Sequence, residues 1–139
     1  MFILNEKLAN DCIIIGSFPL SLLLLMNDSQ YPWFILVPQQ ENLTEIYQLE
    51  MDDQHQLLKE SCDLSKYLME NFNADKLNLG AIGNIVSQLH FHHIVRYKND
   101  IAWPSPVWGF AKAKPYDSAQ ISHIKSGIID SFEADLTPL

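Results

Sequence analysis

The sequence predicts an α+β domain in which an antiparallel sheet of about five strands carries one main helix and a C-terminal helix. Three observations lead there. Short runs of β-branched, aromatic and leucine residues, punctuated by turn residues, fill the chain up to Pro38. An amphipathic stretch from Asp52 to about Phe72 follows, and a second begins near Asp117. Between them, Asn84 to Arg96 returns to strand-like composition.

Phe2 to Leu4, Cys12 to Gly16 and Leu20 to Met26 read as strands, with Ser17-Phe18-Pro19 as a connection, because proline cannot donate to a ladder. Their apolar runs scarcely alternate, which predicts strands covered on both faces or a contribution to an interface. Asn27 to Gln30 is a turn by composition, and Trp33 to Val37 is the next strand, ended by Pro38. Asn42-Leu43-Thr44-Glu45 has the spacing of a capping box. A second helix start at Asp52-Asp53 places acids in the first turn and Leu57, Leu64 and Leu68 on one stripe, which should cover a face of the sheet. His55 falls in that first turn and is expected in solvent.

Lys98-Asn99-Asp100 reads as a turn. The segment Trp103-Pro104-Ser105-Pro106-Val107-Trp108-Gly109 is irregular because its two prolines forbid regular pairing. Trp103 and Trp108 either wall a base pocket, since flat aromatic faces stack on bases, or plug the end of the core or a subunit interface. Asp117 starts the terminal helix, with Ile121, Ile124, Ile128 and Phe132 on its apolar stripe; Lys112, Lys114, His123 and Lys125 are expected at the surface.

With 139 residues, 47% hydrophobic content and 19% charge, the chain is expected to form one domain over residues 1–139, of which 110–139 make a C-terminal extension. The formal net charge of −8 argues against a nucleic acid polymer, which needs a counterion-releasing basic surface, but leaves room for a small nucleotide at a local anion site. Cys12 and Cys62 form no CxxC pair, so zinc-ribbon and redox motifs have no support, and a cytoplasmic chain with reduced thiols is expected. The mixed charges of Met1 to Ala9 do not resemble a secretory leader, and no apolar run approaches the roughly 20 residues of a membrane span.

The chemistry concentrates in Asn84 to Arg96, where His90, His92 and His93 lie within four positions. On a strand, Gln88, His90 and His92 share one face while Leu89, Phe91 and Val95 share the other. Residues two apart sit roughly 6.6 Å apart, so two imidazoles can flank a group the size of a phosphate. The same pattern also fits a pair of metal ligands, as in a cupin-like barrel, or two partly buried, hydrogen-bonded histidines. A metal site would lack a good third ligand, because His93 points to the opposite face.

An imidazole with its ordinary pKa of about 6.5 is mostly neutral and nucleophilic at pH 7. His90, central on the polar face, is the natural attacker on an α-phosphorus, giving a phosphohistidine that water then cleaves. Its other nitrogen must donate, most simply to a main-chain carbonyl, so that the attacking nitrogen keeps its lone pair. His92 is placed to hydrogen-bond a non-bridging or leaving-group oxygen, and Asn84 can donate an amide to the phosphate. Gln88 can hydrogen-bond there but cannot titrate near neutrality.

Asn78-Leu79-Gly80, Gly83-Asn84, Val86, Gln88-Leu89-His90-Phe91-His92 and Arg96 together resemble the histidine triad (HIT) superfamily, whose signature runs roughly Asn-x-Gly, Gly-Gln-x-Val, His-x-His-x-His and a closing arginine. Asn27 to Pro38 resembles its substrate-edge loop and following strand, so the likeness covers about residues 3–96. In this register Gln88 replaces the first histidine, His90 takes the nucleophile's place and His92 the third. A register starting the triad at His90 displaces both Asn84 and Arg96 and is rejected. Two further departures are Ile85, where many members have a phosphate-contacting serine or threonine, and a glycine loop about one residue shorter.

The resemblance implies hydrolysis or transfer at the α-phosphate of a dinucleoside polyphosphate or nucleoside phosphoramidate. No cofactor is implied beyond a divalent cation accompanying a polyphosphate. It implies a homodimer, with His90, His92 and Gln88 at the reacting centre, Asn78, Asn84 and Arg96 with them on the phosphate side, and Asn27 and Asp28 at the ribose. Gln88 and Ile85 keep open a nucleotide-binding protein that has lost turnover.

Overall fold

Two strands of the sheet show no alternation, and their surroundings show why. The computed structural model describes all residues, 1–139. It contains α1 (Glu6–Asp11), β1 (Cys12–Ser17), β2 (Ser21–Met26), β3 (Trp33–Pro38), a 3-10 turn (Ile46–Gln48), α2 (Met51–Asn71), β4 (Lys76–Gly80), β5 (Phe91–Arg96), α3 (Ser118–Ser131) and β6 (Thr137–Pro138). The strands form one antiparallel sheet in the order β4-β5-β3-β2-β1-β6. The expected α+β fold is therefore observed.

One face packs Leu23 and Leu25 of β2, Phe34 and Leu36 of β3 and Val95 of β5 against Leu57, Leu64 and Leu68 of α2 and Ile128 of α3. The other packs Leu22, Leu24, Trp33, Ile35, Val37 and Ile94 beneath Leu8, Val86, Ala102 and Val107. With both faces dry, β2 and β3 take apolar residues at every position but the buried Ser21 that opens β2. The β2 run that suggested a subunit interface is buried inside the chain itself, with Leu23, Leu24 and Leu25 fully covered; in β1 only part of the run is, since Ile15 is fully covered but Ile13 is half-buried and Ile14 exposed.

Helix α2 is longest because its apolar stripe is matched to the sheet, and it carries two buried polar groups on the same side, Glu60 and Ser61. The Glu60 carboxylate accepts the amide N–H of Leu20 (2.8 Å) and Ser21 (3.1 Å), satisfying donors at the start of β2 that the ladder leaves free. Residues after 110 close back on the sheet: α3, capped by Asp117, buries Ile128, and β6 pairs with Gly16 and Ser17. A Cβ at Gly16 would lie 2.6 Å from the Thr137 carbonyl oxygen, so only glycine admits β6 at this edge.

Four local expectations are corrected. Phe2 to Leu4 is not a strand; the segment leads into α1, whose first turn is capped by Asn5 Oδ1 accepting the Lys7 N–H at 2.9 Å. The capping box near residue 45 pairs Glu45 with Gln48 rather than Asn42 with Glu45. Strand β4 was not anticipated, although Lys76-Leu77-Asn78-Leu79 does alternate. The strand expected over Asn84 to Arg96 begins only at Phe91, because Gly80 already faces His92 on one side and Leu36 faces Phe91 on the other, and no ladder pairing extends upstream of Phe91. No helix is long and apolar enough to cross a membrane.

Candidate active site

Upstream of β5 the chain runs as a loop, turned by Gly83 at φ 74°. Its amides find other partners: the Leu89 N–H donates to the Leu43 carbonyl at 2.9 Å, while the Leu89 side chain enters the helix-covered core and Val86 the opposite one. This anchoring brings His90 beside His92 although they do not share a regular strand. Their ring centroids are 4.8 Å apart at 70°, closer than strand spacing alone gives.

Both rings have defined partners that fix where their protons sit. His90 Nδ1 lies 2.7 Å from the Gln88 carbonyl oxygen, an acceptor, so Nδ1 carries the hydrogen and Nε2 the lone pair. His92 is the reverse. The Trp33 indole N–H donates to His92 Nδ1 at 2.9 Å, so the His92 hydrogen is on Nε2. Burial, reinforced by repulsion from His90 and His93, pushes the His92 pKa down to about 3. His92 is therefore a neutral donor near pH 7.

His93, one position on, faces the other way. Its Nδ1–H donates to the Phe91 carbonyl (3.0 Å) and its Nε2 accepts the Ser61 hydroxyl (2.7 Å), all within the α2-covered layer. Burial pushes its pKa down to about 4, against the raising effect of the Phe91 carbonyl. It cannot join a metal with His90 and His92, and no group of three histidine, cysteine, aspartate or glutamate side chains is placed to hold one. The cupin-like reading thus has no ligand set.

His90 and His92 open onto a cleft of about 830 Å³, counting its solvent-open mouth. One wall is α1 and β2, with Lys7, Leu8, Asp11 and Met26; the other is the 82–86 loop, with Asn84 and Val86; Trp108 closes the end. Trp108 stands 5.4 Å from His92, ring to ring, and its benzo edge is 3.2 Å from where a Gly80 Cβ would be. Asn84 is where the sequence reading puts it, on the cleft. Ile85 is 86% exposed at the lip and offers no donor to a phosphate.

The remaining expected residues serve structure. Arg96 is 1% exposed; its Nε and Nη2 donate to Asp100 (2.8 and 3.0 Å), its Nη1 donates to Asn78 Oδ1 (2.7 Å), and Tyr31 and Trp103 cover the guanidinium. Burial alone would raise the Asp100 carboxyl, but Arg96 and the amide N–H groups of Tyr97 and Trp103 hold it below its usual range. The Arg96 guanidinium is therefore not free for a phosphate, the Asn78 side-chain oxygen is spent on it, and Trp103 belongs to this cluster rather than to the cleft. Asn27 and Asp28 each commit one oxygen to the fold: Asn27 Oδ1 accepts the Tyr116 N–H (2.9 Å), and Asp28 Oδ1 accepts from Gln30 and from the Lys114 amide, so both hold the 112–116 segment. The Gln88 side chain bonds neither His90 nor His92 and turns to the N-terminal segment.

A family model described as the HIT domain matches residues 7–99, spanning both cleft walls and β5 with Arg96. The chain belongs to the HIT domain family. Solved structures agree along nearly its whole length. A histidine triad protein from Marinobacter aquaeolei VT8 is 47% identical over 96% of this chain and 97% of that one, with a TM-score of 0.93. Histidine triad proteins from Sinorhizobium meliloti 1021 (42% identity, 94% and 96% coverage, TM-score 0.91) and Bradyrhizobium japonicum (40%, 93% and 96%, 0.91) are similar to it as well. No curated protein sequence matches it significantly. Membership of the HIT family supports a nucleotide-binding or nucleotide-hydrolysing function.

Sequence reasoning missed Trp33, Lys7, Leu8, Asp11 and Met26. The signal for Trp33 lay in sheet geometry: it sits opposite Ile94, diagonal to His92 on the same face. The α1 residues carried no signal, since a six-residue helix is set by what it packs against.

Proposed function

We propose that this HIT-family protein hydrolyses or transfers at the α-phosphate of a nucleotide, a nucleoside phosphoramidate or a dinucleoside polyphosphate, through a covalent intermediate on His90. The supporting observation is the complementary proton placement on two adjacent imidazoles, a lone pair on His90 Nε2 and a hydrogen on His92 Nε2. In the first step His90 Nε2 bonds to phosphorus and the bond from phosphorus to the leaving group breaks. The ring becomes a phosphoimidazolium whose Nδ1–H stays on the Gln88 carbonyl, which accepts more strongly from a cation. The leaving group departs with the bonding electron pair and takes its proton from solvent, while His92 donates a hydrogen bond to phosphoryl oxygen without losing its own proton. Water then attacks phosphorus and gives up a proton to solvent, the N–P bond breaks with its electron pair returning to Nε2, and neutral His90 is restored.

Leu8, Met26 and Val86 offer the nucleoside an apolar wall, Asn84 offers the phosphate an amide, and Lys7 is the cation on the cleft. Any divalent cation would travel with a polyphosphate substrate rather than reside in the protein. A homodimer now rests on the family resemblance alone; sedimentation showing only monomer at micromolar concentration would remove it.

Phosphorus NMR on both substrate types tests the function. Wild type should release the nucleoside monophosphate from at least one of them, and His90→Ala should abolish turnover while nucleotide affinity stays within about tenfold, roughly 1.4 kcal/mol. Near wild-type turnover by His90→Ala would remove His90 as nucleophile. A wild type that binds AMP but turns over neither substrate would make this a binding protein.

A further inference from the structure

Gln88 occupies the triad's first place, yet its side chain bonds neither histidine. Its Oε1 accepts the Asn5 N–H at 2.8 Å and its Nε2 donates to the Ile3 carbonyl at 2.9 Å. A carboxamide projects its acceptor and donor to the same side, so it can pair with one backbone strand as another strand would. An imidazole's two nitrogens diverge and cannot grip both groups. The gripped segment leads straight into the cleft. Asn5 caps α1, and α1 contributes Lys7, Leu8 and Asp11 to the wall. Six residues are too few for a helix to stand without anchors. The downstream anchor is the Asp11 carbonyl, which accepts the Asn27 N–H at 3.1 Å; upstream, Met1 pairs its amino group with Glu41, both exposed, and Gln88 makes the inner attachment. The same residue's main-chain carbonyl holds His90 Nδ1.

We propose that Gln88 is a positioning residue that acts through the N-terminal segment: its carboxamide clamps Ile3 and Asn5, and so holds the α1 wall against which the nucleoside rests, in register with His90. This role rests on the nucleotide reading of the cleft only for its effect on binding; the clamp itself does not. Because the His90 contact uses the main chain, changing the side chain should loosen the wall without disturbing the proton on His90.

The full chain is compared as wild type, Gln88→Ala and Gln88→Glu, the last keeping the acceptor for Asn5 and losing the donor to Ile3. Two readouts are used: amide hydrogen exchange of residues 1–11, and dissociation constants for AMP and for ribose 5-phosphate, which lacks the base. In Gln88→Ala, exchange in residues 1–11 should accelerate about five- to tenfold while β2 and β3 stay unchanged. AMP should weaken by about the same factor, one net hydrogen bond's worth, with ribose 5-phosphate within about twofold. Gln88→Glu should fall between. Unchanged exchange in residues 1–11 would overturn the clamp. Equal losses for AMP and ribose 5-phosphate, or an AMP affinity unchanged while exchange accelerates, would overturn its link to the nucleoside wall. If wild type binds neither probe, the nucleotide reading fails while exchange still decides the clamp.

Discussion

His92 shows how one neighbour sets a residue's chemistry. Buried at 5% exposure with its Nδ1 filled by the Trp33 indole, it has a single proton arrangement and no access to a second. Trp33→Phe keeps the ring but removes the donor, leaving a buried acceptor unpaired at a cost of about 1–3 kcal/mol and releasing His92 to sample the other tautomer. We expect kcat to fall roughly tenfold with KM little changed, which corresponds to ~1.4 kcal/mol of barrier. Nitrogen-15 shifts of His92 should show hydrogen on Nε2 in wild type and a mixture in the variant. An unchanged tautomer and rate would mean that burial alone holds the ring.

At the scale of elements, the β5 end and the turn after it are held by Arg96. Its guanidinium ties β4 through Asn78 and the 97–103 turn through Asp100, whose carboxylate in turn accepts the amides of Tyr97, Ala102 and Trp103. Arg96→Ala would leave the Asp100 carboxylate, 3% exposed as a side chain, without its cation. Breaking such a pair costs on the order of 3–5 kcal/mol. Denaturant unfolding should show that loss. AMP affinity of the folded fraction should stay within about threefold, because the guanidinium does not reach the cleft, a figure small on the affinity scale. A selective loss of AMP affinity with stability intact would return Arg96 to the phosphate.

The molecule as a whole folds with two histidines it cannot easily protonate. His92 and His93 have pKa values near 3 and 4 in the fold against 6.5 outside it. Above pH 6.5 both states hold them neutral and no difference arises. As pH falls below 6.5 the unfolded chain takes up protons that the folded chain refuses, so stability declines towards pH 4, at up to about 1.4 kcal/mol per pH unit for each histidine. Urea titrations at pH 7, 5.5 and 4.5 should trace that slope, and His93→Gln should make it about half as steep. A stability independent of pH across this range would mean that His92 and His93 are open to protons in the fold.

The sequence by itself determined the α+β class, the double cover of β2, the buried stripe of α2, the cap of α3 and the pairing of His90 with His92 on one side of the sheet. These follow from periodicity, caps and local spacing, which act over a few residues and are written in the chain. It also led to the expectation that the non-attacking nitrogen of His90 donates to a main-chain carbonyl, as it does to Gln88. What only the tertiary structure decided is which polar groups remain free. Arg96 has the chemistry to hold a phosphate, but its guanidinium is buried against Asp100 and Asn78, while Asn27, Asp28 and Asn78 each commit one side-chain oxygen to a partner 18 to 89 positions away. The same holds for Gln88, whose amide finds Ile3 and Asn5 across 85 and 83 positions. A buried or half-buried polar group bonds to whatever the fold brings within 3 Å of it, and that choice depends on strand order and register rather than on any local pattern.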